Sequence, residues 1–420
     1  EPLLLRGIEV LRGPATLRYG GGAIGGAVNL LDEKVPTQVP ENGLTGVLEG
    51  RLGTADNERS LVGGATIGTG NFALRVEGVD RSTDDYDVPS EFGEDKVHGS
   101  FNDTRTYTVG GSYVDSNGYF GAAYTNHKST YGLPGHSHEY ESCHPHGTSL
   151  HCGSHDHNHD HDHGHDHDHD HDHEHMPFVN LRSERVDVRG EYRDLISGIE
   201  NVSFRYAYTE YEHDELEEEG EVATTFSNKA HDVRLELTHA PIGPLRGMLG
   251  VQYSHSDFSA EGAEAFLIPT KTENTALFLM ESARFGPVRL DLAVRQEWQQ
   301  IDHDSDRFPT AKHRPFSISG AAVWDAAPGY SVALSLARSE RAPNAQELFA
   351  RGVHLATNTY ELGTATLDKE RSHSANLTLR KTDGPTTFTV GVFHQDFDNY
   401  IYGETLDRHE DFRLIRYSGV

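Results

Sequence analysis

Long apolar segments, cysteines and methionines are all scarce in this sequence of 420 residues. No run approaches the eighteen or so apolar residues of a membrane-spanning helix, which excludes a helical membrane protein. Basic residues are also few, because 36 lysines and arginines stand against 66 aspartates and glutamates, and the net charge is −30. Such a chain attracts cations and repels phosphate backbones, so we expect no nucleic-acid partner.

Catalytic motifs are absent as well. The sequence contains no His-Glu-x-x-His zinc motif, and no serine lies in a nucleophile-elbow context. The glycine run at 20–26 is not followed by the Lys-Ser/Thr pair of a phosphate-binding loop. We therefore predict that the chain is not an enzyme.

Histidine, in contrast, is abundant and concentrated. Sixteen of the 28 histidines fall between positions 136 and 175, and they end in a strict alternation with aspartate. Neutral imidazole suits zinc, copper and nickel, and carboxylate oxygen supplements it, so we predict that this region binds divalent transition metals. The alternative is a solvated low-complexity loop. The candidate ligands are His136, His138, His144, His146, His151, His155, His157, His159, His161, His163, His165, His167, His169, His171, His173 and His175.

Both cysteines, Cys143 and Cys152, lie in the same region. Two exposed thiols beside metal ligands would be unsafe in a reducing compartment, but they suit a disulfide in an oxidising one. We predict a disulfide that shapes the base of the histidine region. If the thiols were free, both cysteines would become metal ligands.

From about Gly43 onward, apolar and polar residues alternate in segments of about ten residues. About fifteen such segments recur, which is typical of an outer-membrane β-barrel and too long for the strands of a soluble sandwich. The alternation predicts two faces. The residues expected to face lipid are Leu290, Leu292, Val294, Leu235 and Tyr206, and those expected to face the lumen are Arg289, Arg295 and Arg234.

The connections between these segments alternate between tight turns and long loops. The long loops lie near 83–103, 129–178, 211–226, 259–270, 302–312 and 341–369. Outer-membrane barrels have short periplasmic turns and long external loops. The histidine region, Glu215 and His354 are therefore predicted on one external rim.

Two motifs carry a family resemblance. The segment Ile8-Glu-Val-Leu-Arg-Gly-Pro14, followed by Leu17-Arg-Tyr-Gly-Gly-Gly-Ala-Ile-Gly-Gly26, closely resembles the end of the plug domain of TonB-dependent outer-membrane receptors. Arg338-Ser-Glu-Arg-Ala-Pro343, with Glu347-Leu-Phe349, is similar to a barrel motif of that family. The resemblance covers the whole chain. It implies an all-β fold, a transmembrane antiparallel β-barrel of 22 strands when intact and about 15 here, with an N-terminal plug domain.

The same resemblance implies the domain boundaries and which parts of the receptor the chain contains. Residues 1–36 correspond to the C-terminal part of the plug, and 37–420 to an incomplete barrel with an external histidine-rich loop at 129–178. The TonB box, the first part of the plug and the last strands of the barrel are missing. We therefore take the chain to be truncated at both ends.

Within the family, the segments 131–140 and 352–360 resemble the zinc-uptake (ZnuD-like) branch. This implies that Zn²⁺ is the imported ion, that the TonB–ExbB–ExbD complex supplies energy, and that the receptor is a monomer surrounded by outer-membrane lipid. Matched residue by residue, the resemblance places a discrete zinc site at Glu215 and His354. Glu215 could instead be one acid of a solvated run, and His354 a surface or packing residue.

Other functions remain open at this stage. A TonB-dependent receptor for haem, copper or nickel is one alternative, and a surface metal-buffering barrel without transport is another. A plug argues against a simple anchor, clustered histidines with carboxylates fit a bare cation better than haem, and only three methionines disfavour copper. The preference for zinc over nickel rests on the resemblance alone.

Overall fold

The computed structural model describes residues 1–11, 14–135, 140, 142–152, 177–217 and 220–420. β-Strands dominate these residues. In chain order they are β1 (Gly7–Leu11), β2 (Ala27–Leu31), β3 (Leu44–Leu52), β4 (Arg59–Thr69), β5 (Phe72–Thr83), β6 (Asn102–Val114), β7 (Gly118–Gly132), β8 (His144–His146), β9 (Ser149–His151), β10 (Phe178–Ile196), β11 (Ile199–Leu216), β12 (Val222–His239), β13 (Leu245–Gly262), β14 (Thr270–Phe285), β15 (Val288–Asp302), β16 (Ala311–His313), β17 (Phe316–Ala327), β18 (Tyr330–Arg341), β19 (Arg351–His354), β20 (Thr359–Leu362), β21 (Glu370–Lys381), β22 (Phe388–Asp398), β23 (Ile401–His409) and β24 (Phe412–Gly419).

Helices are short. The α-helix α1 (Ala345–Phe349) begins at Asn344, whose side chain accepts a hydrogen bond from the backbone N–H of Glu347. Single 3₁₀ turns occur at Pro2–Leu4, Pro14–Arg18, Ser90–Phe92 and Leu355–Thr357. Among the described residues, no helix has the length and apolar character needed to cross a membrane.

One large antiparallel sheet forms the body of the molecule. In the described residues, fifteen strands lie side by side in the order β22–β21–β18–β17–β15–β14–β13–β12–β11–β10–β7–β6–β5–β4–β3, and β16 pairs with β15. Almost every strand pairs with its neighbour in sequence, as expected of a meander with period-two alternation. The predicted all-β fold and the number of strands in this sheet are confirmed. The remaining strands form small separate sheets, namely β1–β2, β8–β9 and β19–β20–β24–β23.

The alternation of short and long connections holds, with one correction. The segment 211–226 is not a loop, because β11 continues to Leu216 and β12 begins at Val222. Glu215 is therefore a strand residue, and its register partner is Thr224. Acidic side chains do not interrupt this ladder, because its hydrogen bonds come from backbone groups.

The register separates two faces of the sheet as predicted. Arg295 is buried on the inner face, where its Nη1 donates to the backbone O of Leu17 at 3.4 Å. Leu290 and Leu292 on the same strand are each 45% exposed on the outer face. The other predicted residues follow the same division, with Arg289 and Arg234 on the inner face and Val294, Leu235 and Tyr206 on the outer face.

Aromatic side chains form two rows on the outer face. The row near the short turns contains Phe72, Tyr113, Phe120, Phe285, Trp324, Tyr330 and Phe388, and the farther row contains Tyr107, Tyr253 and Trp298. From Val288 to Trp298, β15 runs for about 33 Å at about 3.3 Å per residue. At the usual tilt this length spans about 25 Å, which is the height of the apolar band of an outer-membrane barrel flanked by aromatic girdles.

The N-terminal segment, residues 1–36, is held against the inner face by charge pairs. The guanidinium of Arg18 donates to both carboxylate oxygens of Glu236, and that of Arg189 donates to Asp32 at 2.7 and 3.0 Å. Burial alone would raise the pKa of Asp32, but the hydrogen bonds and charge of Arg189 outweigh it and lower the pKa. These pairs hold the segment against the inner face of the sheet. The domain boundary at residue 36 stays a prediction.

The assignment of the two faces can be tested by placing an arginine on either face at the same height of the sheet. Because Leu292 lies between the aromatic rows on the outer face, Leu292→Arg should lower the free energy of unfolding by roughly 2–4 kcal/mol in lipid vesicles. The matched control is Ala321→Arg, because Ala321 pairs with Asp291 on the inner face at almost the same level. It should cost much less in the same denaturant titration. Equal losses from the two variants would contradict the assigned faces.

Candidate metal centre at the external rim

A small hairpin carries three of the predicted histidine ligands. Strands β8 and β9 place His144 opposite His151, and His146 lies on the same face because it is two residues from His144. The ring centroids are 5.0 Å apart for His144 and His146, 4.7 Å for His146 and His151, and 6.4 Å for His144 and His151. A disulfide between Cys143 and Cys152 closes the base of this hairpin.

The opposite face of the hairpin anchors it to the external loops. Leu150 packs against a cluster that contains Tyr140, Leu355 and Phe412. The backbone N–H of Leu150 also donates to Asp407 at 2.7 Å, and this hydrogen bond lowers the pKa of Asp407. The hairpin is therefore a fixed platform with its histidine face turned away from the packed side.

The arrangement of His144 also suits a ligand. Its Nδ1 lies 2.9 Å from the backbone O of Ser142. When Nδ1–H donates to this oxygen, the lone pair of the ring is on Nε2, and metal-binding histidines in proteins are commonly oriented in this way.

The remaining histidines of the region lie outside the described residues. They are His136, His138 and the eleven histidines at odd positions from His155 to His175. Within the residues that are described, no group of three or more histidine, cysteine, aspartate or glutamate side chains is arranged to hold a metal ion. The three rings of the hairpin meet on one face but do not form a finished metal site.

Glu215 lies at the external end of β11 and is only 7% exposed. Its Oε1 is 3.8 Å from Nε2 of His213, two residues earlier on the same face of the strand. Its Oε2 is buried and has no hydrogen-bond partner. An unpartnered charged oxygen is costly to bury, and the burial of this side chain contradicts the alternative in which Glu215 is one acid of a solvated run.

His354 ends β19 and is held on two sides. Its Nδ1 lies 2.8 Å from Oε1 of Glu361, and its ring stacks on Phe266 with 4.3 Å between centroids. Burial alone would raise the pKa of Glu361, but hydrogen bonds from His354, Gln346 and Tyr417 outweigh it and lower the pKa.

An aromatic row lies between the two predicted barrel ligands. His213, next to Glu215, stacks on Phe226 at 4.7 Å, and Phe226 is 6.2 Å from Phe266, which in turn contacts His354. Glu215 and His354 are therefore on one rim, as predicted. In the described part of the chain they do not combine into one set of ligands.

Three further residues of the rim were not among the predicted ligands. His213 could have been, because a residue two positions before Glu215 shares its strand face. Glu264 is buried, and its backbone N–H donates to Thr224, the register partner of Glu215. No local sequence pattern indicates Glu264 or Glu361, because both reach the rim through contacts between distant loops.

Solved structures with the same fold include several receptors. The copper transporter OprC matches with a TM-score of 0.75 and 14% identity over 100% of this chain and 62% of OprC. The FrpB iron transporter from Neisseria meningitidis (F5-1 variant) matches with a TM-score of 0.72 and 11% identity over 99% of this chain and 64% of FrpB. A double mutant of the Serratia marcescens hemophore receptor HasR, in complex with HasA and heme, has a TM-score of 0.72 and 11% identity over 99% and 65% of the two chains.

The chain thus spans less than two thirds of the length of these three structures, and identities this low show a shared fold alone. These proteins are described as receptors or transporters of copper, iron and heme, so they give no support to the zinc-uptake branch in particular.

A sequence profile of the family described as "TonB dependent receptor-like, beta-barrel" matches residues 80–409. This range takes in most of the large sheet and well over half of the chain. Members of the family are outer-membrane receptors and not enzymes, which confirms the predicted location and the predicted lack of catalysis. The chain therefore belongs to the TonB-dependent receptors of the outer membrane.

Proposed function

We propose that this chain is part of a receptor that imports zinc ions with energy from the TonB–ExbB–ExbD complex. The observation that carries the proposal is the buried, unpartnered Oε2 of Glu215 at the external rim. A divalent cation bound there would compensate the carboxylate charge, and the nearby imidazole of His213 would add a nitrogen ligand. Nitrogen and carboxylate ligands together suit zinc.

The route that we propose has two stages. The alternating histidine and aspartate run from His155 to His175 is too regular to form one rigid tetrahedral site, so it captures several ions weakly and interchangeably. A strongly acidic surface raises the local concentration of cations and so the rate of capture. Tight, selective binding takes place deeper, at Glu215, at His354 and at ligands from the plug.

The three-histidine hairpin connects these stages. Leu150 on its packed face contacts the cluster that contains Leu355, and Leu355 directly follows His354 in the chain. An ion released from the run of residues 155–175 would therefore meet a histidine face that is packed onto the segment carrying His354. We propose that the hairpin passes ions from the capture loop to the deeper site.

Copper is the second candidate cargo, because of two methionines. Met248 and Met280 are register partners, and both line a cavity of about 1240 Å³ between the N-terminal segment and the inner face of the sheet. Thioether sulfur is a soft ligand that favours Cu(I). The pair lies near the short turns, far along the strands from Glu215, so it could act only after the ion had passed the rim.

Cargo can be determined by uptake in whole cells. Cells with the complete gene should accumulate zinc at low external concentration faster than cells without it, and copper, nickel and haem uptake should not differ. Radiolabelled metals and a haem-dependent growth assay measure the four cargoes. A difference confined to copper would favour the second candidate, and no difference for any cargo would favour a metal-buffering role.

Different mutations should affect the capture stage and the tight-binding stage independently. Deleting residues 155–175 should lower the number of bound zinc ions and slow uptake at low zinc, while leaving one strong site. His354→Ala or Glu215→Gln should weaken the strong site about tenfold or more and leave the capacity of the loop unchanged. Isothermal calorimetry on the full-length receptor measures both quantities. Binding should weaken in acid, because protonated imidazole cannot bind metal.

The matched control for Glu215→Gln is Glu210→Gln. Glu210 is on the same strand but is exposed and pairs with Lys229 at 2.7 Å, so its loss should change neither stage. The two-stage proposal fails if deletion of the loop abolishes the strongest site, or if His354→Ala has no effect on it.

The disulfide should stabilise the β8–β9 hairpin without affecting the stability of the large sheet. Mass spectrometry of unreduced protein should find no free thiol. Because the closed loop has about ten residues, Cys143→Ser with Cys152→Ser should destabilise the hairpin by about 3 kcal/mol. Hydrogen exchange at β8 and β9 should then increase while exchange in β11 stays constant. Two free thiols in the native protein would instead make the cysteines metal ligands.

A further inference from the structure

We infer that Glu361 is a positioning residue for the metal, and that it acts through His354 without touching the ion. Its carboxylate accepts a hydrogen bond from Nδ1–H of His354 and so directs the lone pair on Nε2 toward the cargo. The inference deepens the proposed function and rests on it, because it requires His354 to be a ligand.

The first argument is the way in which Glu361 is itself held. It is 3% exposed, and its Oε2 accepts hydrogen bonds from Nε2 of Gln346 at 2.8 Å and from the hydroxyl of Tyr417 at 2.9 Å. Its Oε1 is left for Nδ1 of His354 at 2.8 Å and, more distantly, for the hydroxyl of Thr359 at 3.5 Å. The oxygen that meets His354 therefore has a fixed position before any metal arrives.

The second argument concerns the ring of His354. Stacking on Phe266, with an interplanar angle of 15°, fixes the plane of the imidazole, and the hydrogen bond to Glu361 fixes its rotation within that plane. A neutral imidazole that donates from Nδ1 carries its lone pair on Nε2. Carboxylates in this position orient metal-binding histidines and strengthen them as ligands.

The third argument is that the partners of Glu361 differ in charge from those of most other buried glutamates. Six of them pair with arginine or lysine within 4 Å, namely Glu77, Glu236, Glu297, Glu340, Glu347 and Glu370. The four donors to Glu361 are a histidine, an amide and two hydroxyls. A divalent ion on Nε2 of His354 supplies, through the ring, the positive charge that arginine or lysine supplies elsewhere.

The test compares four variants of the full-length receptor with Zn²⁺ and Co²⁺ as probes. Glu361→Gln keeps the size of the side chain and removes its charge, and Tyr417→Phe removes one donor to Glu361 without touching His354. His354→Ala removes the ligand itself. The matched control is Glu370→Gln, which removes a buried carboxylate that is bound to Arg341 and makes no contact with His354 among its described partners.

Affinity at the strongest site is measured by competition with a chromophoric chelator at one equivalent of Zn²⁺. Glu361→Gln should weaken it roughly 10- to 100-fold, and Tyr417→Phe should weaken it less. Glu370→Gln should leave the affinity unchanged. The visible absorption of Co²⁺ at one equivalent should change in Glu361→Gln, because the geometry of the bound histidine is no longer fixed.

A second measurement does not depend on metal. In ¹⁵N-histidine-labelled, metal-free receptor, the His354 signal is the one that disappears in His354→Ala. It should show the proton on Nδ1 in the wild type and in Tyr417→Phe, and a mixture of the two neutral forms in Glu361→Gln. A carboxylate that does not accept a hydrogen bond from His354 would not change this ratio. A wild-type spectrum with the proton on Nε2 would contradict the inference even if Glu361→Gln does not fold.

Each outcome is decisive. If Glu361→Gln binds Zn²⁺ within twofold of wild type while His354→Ala loses the site, the inference is wrong and the proposed function stands. If His354→Ala itself leaves the strongest site unchanged, both the assignment of His354 and the role of Glu361 are wrong. A wild-type proton on Nε2 of His354 also overturns the inference.

Discussion

The antiparallel backbone ladder is the constraint on which the rest of this structure depends. Side chains alternate between faces along a strand, so a slip of one residue would turn Arg295 toward lipid and Leu292 toward the lumen. Burial of a lone guanidinium in hydrocarbon costs several kcal/mol, and that cost fixes the register of the whole sheet. Once the register is fixed, the inner face presents a set of charges, and the N-terminal segment lies where Arg18 and Asp32 can pair with them.

Most of the inner charges are paired, including Glu340, Glu347 and Glu370 near the external end. Where the N-terminal segment lies against the sheet, acids and bases are matched, as in Arg18 with Glu236 and Arg189 with Asp32. At the external rim the match is incomplete, because Oε2 of Glu215 has no hydrogen-bond partner and Glu361 is bound by a histidine and neutral donors. Charge pairs stabilise the structure, whereas the proposed cation site rests on acids whose only ion-pair partners among the described residues are histidines.

The sequence was sufficient for features that depend on local periodicity. Alternation predicted the two faces, the lengths of the connections placed Glu215 and His354 on one rim, and the two cysteines predicted the closure of the hairpin. The acidic residues around Glu215 suggested a loop, because side-chain polarity was taken to mark the end of a ladder that only backbone groups make. The partner of His354 had no local signal, since Glu361 is oriented by Gln346 and Tyr417, and Tyr417 reaches it from 56 residues away in the chain.

Order among the ligands affects the affinity for a metal ion, because a side chain that is fixed before binding loses less conformational entropy. In the proposed capture stage, the repeating histidines and aspartates bind several ions weakly and interchangeably. The hairpin avoids part of that cost, because a disulfide closes it and Leu150 packs it in place. His354 avoids more, since Phe266 and Glu361 fix its ring before the ion arrives. On the proposed route, affinity should therefore increase from the hairpin to His354, because the ligands become better ordered in that direction.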